Sequence, residues 1–184
     1  LKLNDKPIKP VIVNLFAGPG AGKSTIAANV FAELKWAEID VELVTEYAKD
    51  LVWEERFKAL ENQFYVFGKQ LERIRRLTGN VDVVITDSPI VLSPIYKPEH
   101  LSEHFDLAVL EEFKRFNNVN YFIERRKRYI PKGRMQTEDE AKEKDKEIET
   151  FLISNGIYFT NILGDVSGVE TVVSDVLTIL KGRR

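Results

Sequence analysis

The run Ala17-Gly18-Pro19-Gly20-Ala21-Gly22-Lys23-Ser24, with Thr25 behind it, has the make-up of a loop that wraps phosphate groups. Glycines at 18, 20 and 22 remove side chains where backbone N–H groups must turn inward on phosphate oxygens. Lys23 is a mobile cation for the β and γ phosphates, and the Ser24 hydroxyl is placed to hold Mg²⁺. The spacing is that of the Walker A string G-x-x-x-x-G-K-S/T, with Ala17 in place of the first glycine. The small alanine departs from the pattern and leaves its chemistry intact. Gly18 to Thr25 therefore form the expected contact set for a nucleoside triphosphate.

Two carboxylates and one basic stretch complete a transfer site. Glu46 and Asp87 each close an apolar run, and Arg125 to Arg134 carry six cationic groups together with Pro131 and Gly133. Asp87 is expected to orient Mg²⁺ or its water, or to take a proton from an acceptor; its plainer reading is a turn cap beside Ser88. Glu46 is the candidate base for an attacking hydroxyl, against a carboxylate in the first turn of a helix. The basic stretch reads as a lid over 125–136 that brings Arg128 or Arg134 onto the transferring phosphoryl group; a solvated charge run and a contact for a nucleic-acid backbone are its other readings. Tyr47, Trp53, Gln63, Phe64 and Tyr65 are candidates for an acceptor pocket, through stacking and amide hydrogen bonds, although core packing accounts for any one of them.

The elements that must position these groups follow from hydrophobic periodicity. Val11–Phe16 is a β-branched apolar run expected as a buried strand, and Ile26, Ala27, Val30, Phe31 and Leu34 mark one face of the helix that opens near Lys23. Further strands are expected at 41–46, 81–87, 119–123 and 157–162, and helices at 54–78, 99–116 and 166–180. Phe57, Leu60, Phe64, Phe67, Leu71 and Ile74 would form the apolar stripe of the first of these helices. Thr137 with Glu140 forms a capping box for another, in which Glu138–Lys142 and Glu140–Lys144 are favourably ordered pairs. Strands alternating with helices imply a parallel α/β sheet, and in such a sheet ligands sit beyond the carboxyl ends of the strands. Glu46, Asp87 and the basic stretch all fall there.

Composition bounds the rest. A chain of 184 residues with 43% hydrophobic content suits a single domain over 1–184. The net charge of −2 predicts neither a nucleic-acid coat nor a membrane patch, so a basic site has to be local. The absence of cysteine excludes disulfides, thiolate zinc sites and cysteine nucleophiles, and fits a reducing cytoplasm. No apolar run approaches the ~20 residues needed to cross a bilayer. The sequence starts at Leu1 and its only methionine is Met135, so the initiator is expected to lie outside it. Two strings are decoys. His100 to His104 matches H-x-x-E-H with both histidines on one helix face, yet no third metal ligand is evident, and Asp165 to Gly168 matches the D-x-x-G of GTPases with no base-reading partner motif.

With AGPGAGKST at 17–25, VELVTEYAKDL at 41–51, VDVVITDSP at 81–89 and the segment 129–145 with its GRMQT core, the chain resembles the small P-loop kinases of the nucleoside and nucleotide kinase group. The likeness is to ribosylnicotinamide-kinase-like proteins and to phage-encoded P-loop kinases, some of which phosphorylate 5-hydroxymethyluracil in phage DNA. The resemblance implies a five-stranded parallel sheet of order 2-3-1-4-5, ATP as donor, a lid arginine at Arg134 with Arg128, and an adenine pocket near Leu163, Gly164 and Asp165. It leaves the acceptor open. The expected activity is Mg²⁺-dependent transfer of the γ-phosphoryl of ATP to a hydroxyl of a nucleoside-like small molecule or of a modified base in DNA, in the cytoplasm (the host's, for a phage protein). The rival expectation is an ATPase or nucleotide-switched binding protein.

Overall fold

A computed structural model of the chain describes residues 9–126 and 137–183. Its centre is a parallel sheet of β1 (Val11–Phe16), β2 (Val41–Val44), β3 (Val83–Thr86), β4 (Asn117–Glu124) and β5 (Thr160–Leu163), in the order β2-β3-β1-β4-β5. All six residues of the central strand β1 are buried, as a parallel strand covered on both faces requires. Side-chain alternation divides β1 between two cores. Val11, Val13 and Leu15 pack with Ile26, Val30 and Leu34 of α1 (Lys23–Trp36) and Val172 and Val176 of α7 (Val166–Lys181). Ile12 and Phe16 point the other way, into a cluster with Leu71, Ile74, Phe113, Ile148 and Leu152. This is the P-loop NTPase fold, with helices on both sides of the five strands.

Asn14 interrupts the apolar run of β1 and is 1% exposed. Its side-chain amide donates to the side-chain oxygens of Asn118 at 2.9 Å and Asn120 at 3.0 Å on the neighbouring β4. Those partners offset the desolvation that an unbonded amide would suffer.

The helical region expected over 54–78 is two helices, α3 (Phe57–Glu61) and α4 (Gln63–Arg75), preceded by a further short helix α2 (Tyr47–Trp53). Glu55 takes a left-handed φ of 55°, which an α-helix cannot continue through, and Asn62 starts α4 anew by accepting the backbone N–H of Tyr65. The anticipated stripe is correspondingly cut. Leu71 and Ile74 reach the core, whereas Phe57 is 55% and Phe64 59% exposed.

β2 stops two residues short of Glu46, and β5 begins at Thr160 rather than Ile157. A 3-10 segment, Ile90–Tyr96, follows the Ser88-Pro89 break and was not expected from periodicity. α5 (Glu103–Lys114) starts at the cap Ser102, later than the expected 99. α6 (Glu138–Ser154) opens on the predicted capping box, with both reciprocal bonds between Thr137 and Glu140. Glu138 pairs with Lys142 as expected, but Lys144 turns to Glu147 instead of Glu140, whose carboxylate is occupied by Thr137. Among the described residues no helix is long and apolar enough to cross a membrane.

Candidate active site

The loop after β1 turns into α1 at Gly22, whose φ of 105° is left-handed, so the residue that caps the helix has no Cβ to accommodate. Lys23 is therefore the first residue of α1, with Ser24 and Thr25 exposed on its first turn. The Lys23 ammonium donates to the carbonyl oxygens of Ala17 at 2.7 Å and Gly18 at 3.0 Å, across the mouth of the loop. Burial lowers its pKa, and Glu46, Asp87 and Asp145 oppose that shift as nearby negative charges.

Glu46 and Asp87 thus share one charged site with Lys23, at the carboxyl ends of neighbouring strands. Glu46 stands at the N-cap position of α2 with extended backbone, at the helix start where its plainer reading also put it, and its side chain makes no capping bond. Burial raises its pKa; Lys23 pulls it down and Asp87 pushes it up. Asp87, 8% exposed, directly follows β3. The turn there is capped by Thr86, whose hydroxyl accepts the Ser88 N–H at 3.1 Å, and the Oδ1 of Asp87 is buried without a hydrogen-bond partner among the described residues. A buried carboxylate oxygen unpartnered among the described residues and an exposed serine hydroxyl on the first turn of α1 are donors of the hard-oxygen kind that Mg²⁺ takes. The residues fit that ion.

Tyr96, at the end of the 3-10 segment, faces the same region. Burial, with the charges of Glu46, Glu147 and Asp145, pushes its phenol up to about 12, and the Lys144 ammonium lies 5.3 Å from its ring centroid.

Arg125, the first residue past β4, gathers the loop and α6. Its Nη1 donates to the Pro19 carbonyl at 2.8 Å, and its Nη2 to the Ala141 carbonyl and to Asp145 Oδ1, each at 3.1 Å. Its Nε donates to Asp145 Oδ2, while Asp145 Oδ1 also accepts the Gly18 N–H. A Cβ on Gly18 would sit 2.7 Å from the Ala141 carbonyl oxygen and 2.9 Å from Asp145 Oδ1. Glycine at 18 is thus a matter of close approach.

The other expected site residues divide. Tyr47 and Tyr65 meet with hydroxyls 2.8 Å apart and line a recess of about 400 Å³ with Lys69, Glu72, Arg73 and Arg76. Arg73 lies 4.8 Å over the Tyr47 ring and pairs with Asp50, while Gln70 accepts the Tyr47 N–H. Gln63 is buried and bonds the Leu60 carbonyl, Phe64 stacks edge-on against Phe105, and Trp53 is 77% exposed, so these three follow the packing alternative or solvent. Gly164 closes on the loop: a Cβ there would lie 3.1 Å from the Ala21 carbonyl oxygen. Arg128 and Arg134 lie outside the described residues.

Both decoys resolve structurally. His100 precedes α5 and is not on one helix face with His104, whose ring bonds the cap Ser102; no metal-ligand cluster occurs among the described residues. Asp165 caps α7 by accepting the Ser167 N–H and hydroxyl.

Asp145, Tyr96 and Gln70 were not anticipated from the sequence. For Asp145 a signal exists. It falls on the face of α6 that carries the buried Ala141, Ile148 and Leu152, an acid at a core-facing position. Tyr96 and Gln70 carry no such mark.

A family model described as an AAA domain matches residues 12–168. Among solved structures, the crystal structure of NadR protein in complex with NR superposes with a TM-score of 0.67 at 14% sequence identity, over 91% of this chain and 50% of that one. The chain thus spans half the length of that protein, and at this identity the likeness is one of fold. No curated protein matches.

Proposed function

The chain belongs to the AAA-domain family, and on that footing we propose that it is an ATP-dependent phosphotransferase acting on a hydroxyl of a nucleoside- or nucleotide-like acceptor, free or as a modified base in DNA. The observation that carries this reading is the convergence of Lys23, Glu46 and Asp87 at the ends of three adjacent strands, close enough for both carboxylates to act on the Lys23 charge.

In this reading the N–H groups of residues 20–25 and the Lys23 ammonium hold the β and γ phosphates. Ser24 and Asp87 are the donors for Mg²⁺, which when bound would neutralise charge on those oxygens. The acceptor oxygen bonds to the γ phosphorus as the bond to the bridging oxygen of ADP breaks, and the acceptor proton passes to Glu46, or to Asp87 in its place. A carboxylate whose pKa is raised toward the working pH is a better base than an ordinary one. Arg134, with Arg128, is assigned the charge that spreads over the equatorial oxygens. Gly164, beside Ala21, is in keeping with an adenine pocket near 163–165.

The AAA-domain membership also favours a second reading, an ATPase with no small-molecule acceptor. One assay separates the two. γ-labelled ATP is offered with a panel of nucleosides, nucleotides, ribosylnicotinamide, and unmodified or hydroxymethylated DNA. Label on an acceptor identifies a kinase and its substrate together, whereas label released only as phosphate under every condition overturns the kinase reading.

A further inference from the structure

Arg125 and Asp145 make no contact that the transfer chemistry itself requires, yet they hold the phosphate loop from outside. The two side chains are 16% and 17% exposed and meet through two parallel N–H to oxygen bonds, the geometry that makes Arg–carboxylate pairs directional as well as strong. Every nitrogen of the guanidinium is engaged, and two of its bonds go to backbone carbonyls, Pro19 in the loop and Ala141 in α6. Asp145 takes the Gly18 N–H as well. The peptide group before Gly18 and the one after Pro19 are therefore fixed from one point, and Gly18 has no Cβ to obstruct the approach.

What these contacts fix is the seat of Lys23. Its ammonium rests on the carbonyl oxygens of Ala17 and Gly18; Asp145 holds the N–H of the same peptide group as the Ala17 carbonyl, and Arg125 holds the Pro19 carbonyl one residue beyond Gly18. Contacts run without a gap from α6 through Asp145 and Gly18 to Lys23. Charge adds to geometry, since Asp145 and Arg125 both act on the Lys23 ammonium, with opposite sign.

We propose that Arg125 and Asp145 are a positioning pair that presets the phosphate loop and the Lys23 ammonium for a nucleoside triphosphate, coupling the placement of α6 to nucleotide affinity. The proposal rests on the triphosphate reading of residues 18–25 and is independent of the acceptor. A planar fork that holds three partners at once cannot be replaced by a lysine, and a carboxylate that accepts from both an arginine and a peptide N–H cannot be replaced by its amide without losing charge. A misplacement of about 1 Å in such a site costs up to about a hundredfold.

The test uses the full chain and a fluorescent N-methylanthraniloyl-ATP titration in the presence of Mg²⁺, with thermal melts run alongside. Asp145→Asn, Arg125→Lys and the double variant are compared with wild type. Each single variant should bind the analogue about ten- to hundredfold more weakly while it still melts cooperatively, and the double variant should lose no more than the worse single one, because the pair acts as a unit. Turnover measured at saturating ATP should fall far less than the KM for ATP rises. Affinity within twofold of wild type in folded Asp145→Asn, or losses in the two single variants that simply add, overturns the proposal and leaves the triphosphate reading standing. A merely structural pair would lower the melting temperature and leave the affinity of the folded fraction unchanged, which also overturns it. Wild-type protein that fails to bind the analogue removes the triphosphate reading and the proposal together.

Discussion

The Lys23 ammonium lies 2.7 Å from the carbonyl oxygen of Ala17, inside the loop that the same side chain closes. A cation held among loop carbonyls, with the carboxylates of Glu46, Asp87 and Asp145 favouring its charged form, is poised for a polyanion. Replacing Lys23 with alanine should lower phosphoryl transfer by about 10²–10³-fold or more, because positioning and charge neutralisation make up most of the catalysis of this reaction. Label transfer from γ-labelled ATP measures it, and wild-type-like turnover in Lys23→Ala would remove the loop from the chemistry.

Gly18→Ala inserts a Cβ 2.7 Å from the Ala141 carbonyl, a backbone atom that cannot swing aside. Either the loop or α6 must shift. The expected cost is about 1–3 kcal/mol in urea denaturation, the range for overpacking a fitted contact. Gly68→Ala is the control, since a Cβ there meets nothing within 4 Å. In the middle of α4 it should be neutral or stabilising by up to about 1 kcal/mol. Equal effects of the two substitutions would refute the close-approach account.

Asn14→Ala withdraws the donor shared by Asn118 and Asn120. Their side-chain oxygens lose a partner between β1 and β4, at a cost of about 1–3 kcal/mol in chemical denaturation. Nucleotide affinity of the folded protein should stay within about twofold, since the bond lies within the sheet and touches no loop residue. A large change in affinity with little change in stability would reverse that assignment.

The parallel sheet was legible because its strands are short apolar segments alternating with helices, and Glu46 and Asp87 follow theirs at the carboxyl end, where a parallel sheet gathers its ligand groups; the strand order came from the resemblance alone. Lys23, Glu46 and Asp87 fell together for that reason alone. The helices after β2 were not legible. Phe57 keeps helical spacing with Leu71 and Ile74, but the new start at Asn62 puts it on a separate helix, exposed to solvent. Periodicity records which residues are apolar and is blind to a new helix start between them. The pairing of Arg125 with Asp145 escaped for another reason. It spans a separation of 20 residues and is visible only as an acid on the apolar face of α6. In the same way the partners of Asn14 are visible only once β4 is set in register beside β1.

The raised pKa of Glu46 gives the base assignment a sign that can be measured. Burial holds the carboxyl in its neutral form to higher pH than the ordinary 4.5, against the pull of Lys23. If Glu46 takes the acceptor proton, kcat/KM should rise with pH through that displaced value, and Glu46→Gln should lose about 10²–10⁴-fold and the acidic limb with it. Stability moves oppositely. A carboxyl with a higher pKa in the folded than in the unfolded state contributes stability that is full below the unfolded pKa and is lost as pH rises through the folded one. Glu46→Gln cannot ionise, so its melting temperature should gain on wild type between mildly acidic and neutral pH. Lys23→Met should push the Glu46 titration higher still, because the ammonium that favours the carboxylate is gone. An acidic limb that survives unchanged in Glu46→Gln would pass the proton to Asp87, the buried carboxylate on the next strand with an oxygen still unpartnered among the described residues.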